Sequence, residues 1–195
     1  MSEATGAKMA ATEAAAHQYS INPGLSRFTV RVSAAGMLSS FGHNPNIAIR
    51  GYTGELTVNP DQMQQASVRI TIPANSLEVT DDISQKDKTD IETKMRQEVL
   101  EAQQYPQIVF ESIQIAPSSA GGNSYAVTGN LTLRGATRPE TITAQVAISG
   151  DTIRAYGEFT LRQSDYGIKL VSVAAGALKV KDEVKLTFDI SARKQ

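Results

Sequence analysis

From Arg27 onward, apolar and polar residues alternate. Phe28, Val30 and Val32 are interleaved with Thr29, Arg31 and Ser33, a period of two that gives a strand one apolar and one polar face. The rhythm returns at Val68-Ile70-Ile72, across Tyr125 to Leu133, Ile142 to Ile148, Ile153 to Leu161, and Val184 to Ile190. Ile47 to Val58 and Ile108 to Ala116 are strand-like with a looser alternation. Together these predict about eight strands. Several run for about ten residues, roughly 30 Å, against a usual five or six.

One stretch follows a different period. Between Thr89 and Gln103, Ile91, Met95, Val99 and Ala102 share a helical face, with Lys94, Arg96, Glu98 and Glu101 largely elsewhere. Thr89-Asp90-Ile91-Glu92 has capping-box spacing, and Tyr105-Pro106 supplies the stop. A helix of roughly 22 Å results, enough for one crossing or a lid.

One helix cannot cover the apolar faces of so many strands, so the sheet must close on itself or pack on another sheet. The expected fold is all-β: an extended eight-stranded antiparallel up-and-down β-barrel, apolar face inward, with one α-helix between strands 3 and 4. A two-sheet sandwich is the alternative. In such a barrel the odd-numbered connections share one end and the even-numbered ones the other. The even ones are plain: Asn59-Pro60-Asp61, Pro117 to Asn123, and Ser149-Gly150-Asp151. Three odd ones are long: Ala35 to Asn46, the helical excursion, and Gln163 to Asp182. Long ordered loops are commonly functional. These carry Met37, Leu38, Phe41, Met95, Val99, Tyr166, Ile168 and Leu170, so a mouth is expected at that end.

Composition narrows the function. The 195 residues suit one domain, residues 19–195, preceded by an aperiodic stretch, residues 1–18, expected to be a mobile arm. The net charge of −1 offers no basic field for nucleic acid. No run reaches the ~18 apolar residues of a membrane-spanning helix. The N-terminal stretch lacks a continuous apolar segment of signal-peptide type, so the chain is expected to be cytoplasmic, or else a processed form of an exported protein. With no cysteine there is no disulfide, thiol nucleophile or thiolate metal site.

His43, in the turn Phe41-Gly42-His43-Asn44-Pro45, is the conspicuous candidate for chemistry. Zinc needs three or four ligands, and the other histidine, His17, lies in the N-terminal stretch. No nucleophile elbow supplies a partner for a triad. His43 reads as a rim residue within turn chemistry, able to touch a polar head group. Asp81, Asp82, Asp87 and Asp90 lack the spacing of a calcium loop and suit a helix N-terminus. No phosphate loop, metal or cofactor is called for. The inward rows contain Ala144, Ala155, Gly129 and Gly157, with no tryptophan and few phenylalanines. Such thin filling favours an elongated apolar cavity over a solid core.

Four segments carry a family resemblance: "SRFTVRVSAAGMLSSFGHNPNIAIRGYTGEL", "MRQEVLEAQQYPQIVFES", "GNLTLRGATRPETI" and "FTLRQSDYGIK". In order and spacing they resemble the YceI-like family, over most of Tyr19 to Ala192. The resemblance implies a lipocalin-like barrel that binds a long isoprenoid, quinone-like or fatty-chain molecule, works without catalysis, and forms a homodimer. An isomerase- or cyclase-type enzyme on a similar barrel, or a stress-related interaction protein with a filled barrel, are the competing readings. The expected ligand contacts are Phe28, Val30, Val32, Ile70, Ile72, Phe110, Val127, Leu131, Ile142, Val146, Phe159, Leu161, Leu186 and Phe188 on the walls. Phe41, His43, Met95, Val99 and Tyr166 join them at the mouth.

Overall fold

The computed structural model describes residues 15–35, 44–173 and 178–195. Met37, Leu38, Phe41 and His43 lie outside the described residues. The strands are β1 (His17–Ile21), β2 (Arg27–Ala35), β3 (Asn46–Ile49), β4 (Thr53–Val58), β5 (Ser67–Pro73) and β6 (Leu77–Val79). They continue with β7 (Gln107–Pro117), β8 (Ser124–Leu133), β9 (Ala136–Ser149), β10 (Thr152–Arg162), β11 (Ser172–Val173) and β12 (Leu178–Lys194).

Three walls of the barrel are each broken in two. β1 continues into β2, β3 into β4, and β5 into β6, so that β4 pairs with β1 and β5 while β3 pairs with β2 and β6. With β7, β8, β9, β10 and β12 these make eight walls, each antiparallel to its neighbours. β12 closes the ring against the first wall, pairing Lys194 with Tyr19 of β1 and Phe188 with Phe28 of β2. The closed barrel is the fold the alternation predicts, and closure excludes the sandwich.

The breaks have local causes. Between β1 and β2 the turn Asn22-Pro23-Gly24-Leu25 is tied by the Ser26 hydroxyl, which donates to the Asn22 carbonyl at 2.7 Å. The Tyr52 hydroxyl donates to the Ser26 carbonyl at 2.7 Å, and its ring meets Phe28 edge-on at 4.7 Å. A bend at one wall is thus pinned by the bend in the next. The buried cluster includes Tyr19, Ile21, Tyr52, Leu56, Ile153, Ile190 and Ala192, at the end of the barrel where β1 meets β12.

Four boundaries differ from the sequence reading. His17 and Gln18, assigned to the arm, belong to β1 and pair with Val58 and Thr57; five residues before a Pro-Gly turn are too short to show a period. The helix α1 spans Gln85–Lys94, not Thr89 onward, because Ser84 is the cap: its hydroxyl accepts from the Asp87 amide at 3.1 Å. Thr89 is interior and bonds back to the Gln85 carbonyl. The helix then widens into a π-helical turn over Met95–Val99, with the Leu100 amide on the Met95 carbonyl. β12 begins at Leu178, and β11 folds back on it, which shortens the last connection.

β9 also starts earlier than expected, at Ala136, through Arg138-Pro139-Glu140. This half pairs with β8 alone, since the pairing with β10 begins at Thr143. Pro139 therefore sits where one edge is open, the place in a sheet where a missing N–H costs least.

Candidate functional site

Alternation turns one face of every wall inward, and the inward faces do not fill the space between them. A cavity of about 510 Å³ runs through the barrel, lined from all eight walls. That is within the usual range for small-molecule sites, roughly 300–1,000 Å³. Each expected wall residue, from Phe28 on the first wall to Phe188 on the eighth, lines it, so the strand parity read from the sequence holds. Met95 and Val99 line it too, from the π-helical turn. Tyr166 does not. It is 1% exposed, and its hydroxyl donates to Glu140 at 2.6 Å. There it fills the seam left where β9 runs past β10, which makes it a wall plug and not a rim contact.

Small residues set the bore. A side-chain carbon added at Gly157 would come within 2.4 Å of the Thr143 carbonyl and 2.9 Å of the Phe188 ring. One at Gly129 would meet the Phe110 ring at 2.6 Å. Both phenylalanines thus bring the tips of their rings over glycines on the neighbouring wall.

The helical segment fills a second seam. β6 pairs with β3 on one side only, and β5 leaves β7 after the Ala74 amide bonds the Pro106 carbonyl. Glu92 accepts the Val79 amide at 3.0 Å, and Arg96 donates to the Leu77 carbonyl at 3.2 Å. The two side chains pair with each other at 3.2 Å. Side chains of the helix thereby take over the hydrogen bonds that a neighbouring strand would have made. Docked this way, the segment turns Ile91, Lys94, Met95, Val99 and Leu100 toward the cavity.

Arg134 ties the elaborate end together. The two-residue turn Arg134-Gly135 between β8 and β9 has φ of 50° and 73°, the left-handed pair of a tight hairpin that favours Asn-Gly. Arginine is strained there. Its guanidinium forms an ion pair with Glu101, itself at φ 47°, and donates to the Gly167 carbonyl. One side chain thus joins the third, fifth and seventh connections. Gly135 allows the Tyr105 ring to lie against the turn, 2.5 Å from where a Cβ would stand.

Sequence reasoning missed several lining positions. Leu56, Val58, Met63 and Ala66 close the plain end, and Ile168 and Val171 add to the elaborate end. Lys94, read as falling largely off the apolar face of the helix, borders the cavity, as does Lys179 at the start of β12. Three residues after Ile91 in the regular part of α1, Lys94 shares that residue's face of the helix. Burial raises the Tyr166 hydroxyl, helped by Glu140, and burial raises Tyr52, but both lie outside the lining. Among the described residues, no three of His, Cys, Asp or Glu are placed to hold a metal ion.

Comparison with known proteins agrees with this architecture. The profile described as "YceI-like domain" matches residues 19–192. A UPF0312 protein of Pseudomonas aeruginosa (strain LESB58) is 32% identical over 126 residues, which is 61% of this chain and 61% of the relative. The matched region therefore spans less than two thirds of that protein's length. Among solved structures, Burkholderia cenocepacia BcnA superposes with a TM-score of 0.71 at 23% identity, covering 88% of this chain and 98% of that one. A domain from Saccharophagus degradans, described as polyisoprenoid binding and implicated in plant cell wall breakdown, gives 0.64 at 14% identity, covering 91% and 98%. At these identities the structures establish a shared fold.

Proposed function

Because the chain belongs to the YceI-like family, we propose that it binds and carries a long apolar lipid, of isoprenoid, isoprenoid-quinone or fatty-chain type, inside the barrel without catalysing a reaction. The observation that carries this is the 510 Å³ cavity lined by apolar side chains from every wall. An occupant gains the dispersion contacts that the thinly filled walls leave unmade. Each buried methylene contributes ~0.8 kcal/mol, so ten carbons supply about 8 kcal/mol before ordering costs. The polyisoprenoid-binding description of the Saccharophagus relative supports the choice of ligand class.

An enzyme on the same barrel would need an inward acid or base. The described lining contains no carboxylate and no histidine, which favours carriage. An interaction protein with a filled barrel is disfavoured by the cavity. A homodimer belongs to the same proposal, and sedimentation across a range of concentrations tests it. For the ligand, organic extraction of purified protein followed by mass spectrometry should recover a long-chain lipid near one per barrel. A clean, ligand-free protein whose barrel proves solid would end the proposal.

A further inference from the structure

The lining is uneven in charge. Of the described residues that border the cavity, the charged ones are Lys94 and Lys179, and both belong to the elaborate end. Lys94 closes α1, in the connection between the third and fourth walls, and Lys179 opens β12, the eighth wall. Lys94 thus reaches the cavity from the helical excursion and Lys179 from the eighth wall. Neither belongs to a salt bridge among the described residues. Ser33 and Gln163 supply polar groups to the lining at the same end, whereas the plain end offers Ser67 and Tyr125 and no charge.

On the reading that the barrel holds a lipid, we propose that its head group is anionic, a phosphate or carboxylate held at the elaborate end between Lys94 and Lys179. Both lysines are exposed, so their stems can pack along the emerging chain while the ammonium groups stay in water. An anion placed there keeps its hydration and meets two cations with no competing carboxylate in the lining. Buried at the plain end, the same anion would lose its water with no cation to replace it. The arrangement therefore also orients the ligand: head toward the helix and the last connection, tail toward Met63 and Ala66.

The test compares two probes with one tail, farnesyl phosphate and farnesol, by displacement of a fluorescent fatty probe from delipidated protein. Exposed ion pairs are individually weak, so a preference of roughly fivefold for the phosphate is expected at low ionic strength. Salt should shrink it. K94Q/K179Q should bring farnesyl phosphate down to the affinity that the same variant shows for farnesol. Equal affinities in the unmodified protein, or a preference that survives the double substitution, would overturn the head-group assignment and leave lipid binding intact. Displacement of farnesyl phosphate by millimolar inorganic phosphate would show a free-anion site and overturn it as well. If neither prenyl probe binds, lipid carriage itself fails, and the assignment with it.

Discussion

Replacing Ala144 with phenylalanine separates a hollow barrel from a solid one by the sign of a single number. Ala144 lies in β9 at 5% exposure, borders the cavity, and faces Tyr125 on β8 and Gly157 on β10. Into open space, a buried aromatic ring is worth ~1.5–3 kcal/mol, of which the existing methyl already supplies part, leaving about 1–2 kcal/mol. Into a filled core, the same ring costs ~1–3 kcal/mol through strained rotamers and shifted strands. For a chain of this size each kcal/mol moves Tm by about 2–4 °C. A144F should therefore raise Tm by roughly 2–8 °C. Both proteins must be delipidated by organic extraction and refolded, because bound lipid would stabilise the unmodified one alone. The ring also occupies bore that a chain would use. At about fourfold per displaced methylene, it should weaken binding of a fatty probe at least about tenfold. A fall in Tm with unchanged probe affinity would refute the hollow interior.

Three further outcomes follow from single contacts. R134N keeps the left-handed turn, which suits Asn-Gly, but loses the ties to Glu101 and Gly167; stopped-flow lipid exchange should quicken several-fold while Tm moves by less than about 4 °C. Y166F strips the bond to Glu140 outside the lining; stability should fall by about 1–2 kcal/mol in urea with probe affinity unchanged. D189N addresses pH, because the hydrogen bond and charge of Arg154 hold the Asp189 carboxyl below its ordinary range. A lowered folded pKa stabilises above the unfolded value of about 3.9 and is lost as pH falls through the folded one. The pair is largely exposed, so urea midpoints should separate the variant from the unmodified protein by no more than about 1 kcal/mol at pH 7, and the gap should narrow as pH falls below the unfolded value.

Much of this molecule is legible in the sequence because a barrel wall repeats one simple instruction. Alternation from Phe28 to Val32 and from Val184 to Ile190 fixes which side chains face inward, and the register Phe28–Phe188 and Val30–Leu186 joins them across the closing seam. What resists reading is non-local. β1 is five residues long and owes its strand form to partners in β4 and β12. The cap at Ser84 and the π-helical turn depend on how Glu92 and Arg96 reach the free edge of β6. Tyr166 looks like a rim aromatic by loop position, yet an open seam beside β9, invisible along the chain, draws it into the wall.

The most direct test of the account is a chain-length series of straight primary alcohols, from eight to twenty carbons, titrated into delipidated protein. Neutral heads remove any contribution from the lysines. If the tail is buried in the 510 Å³ cavity, affinity should rise with each methylene, by up to about fourfold, and then level off once the bore is full. An affinity independent of chain length, or absent throughout, would contradict it.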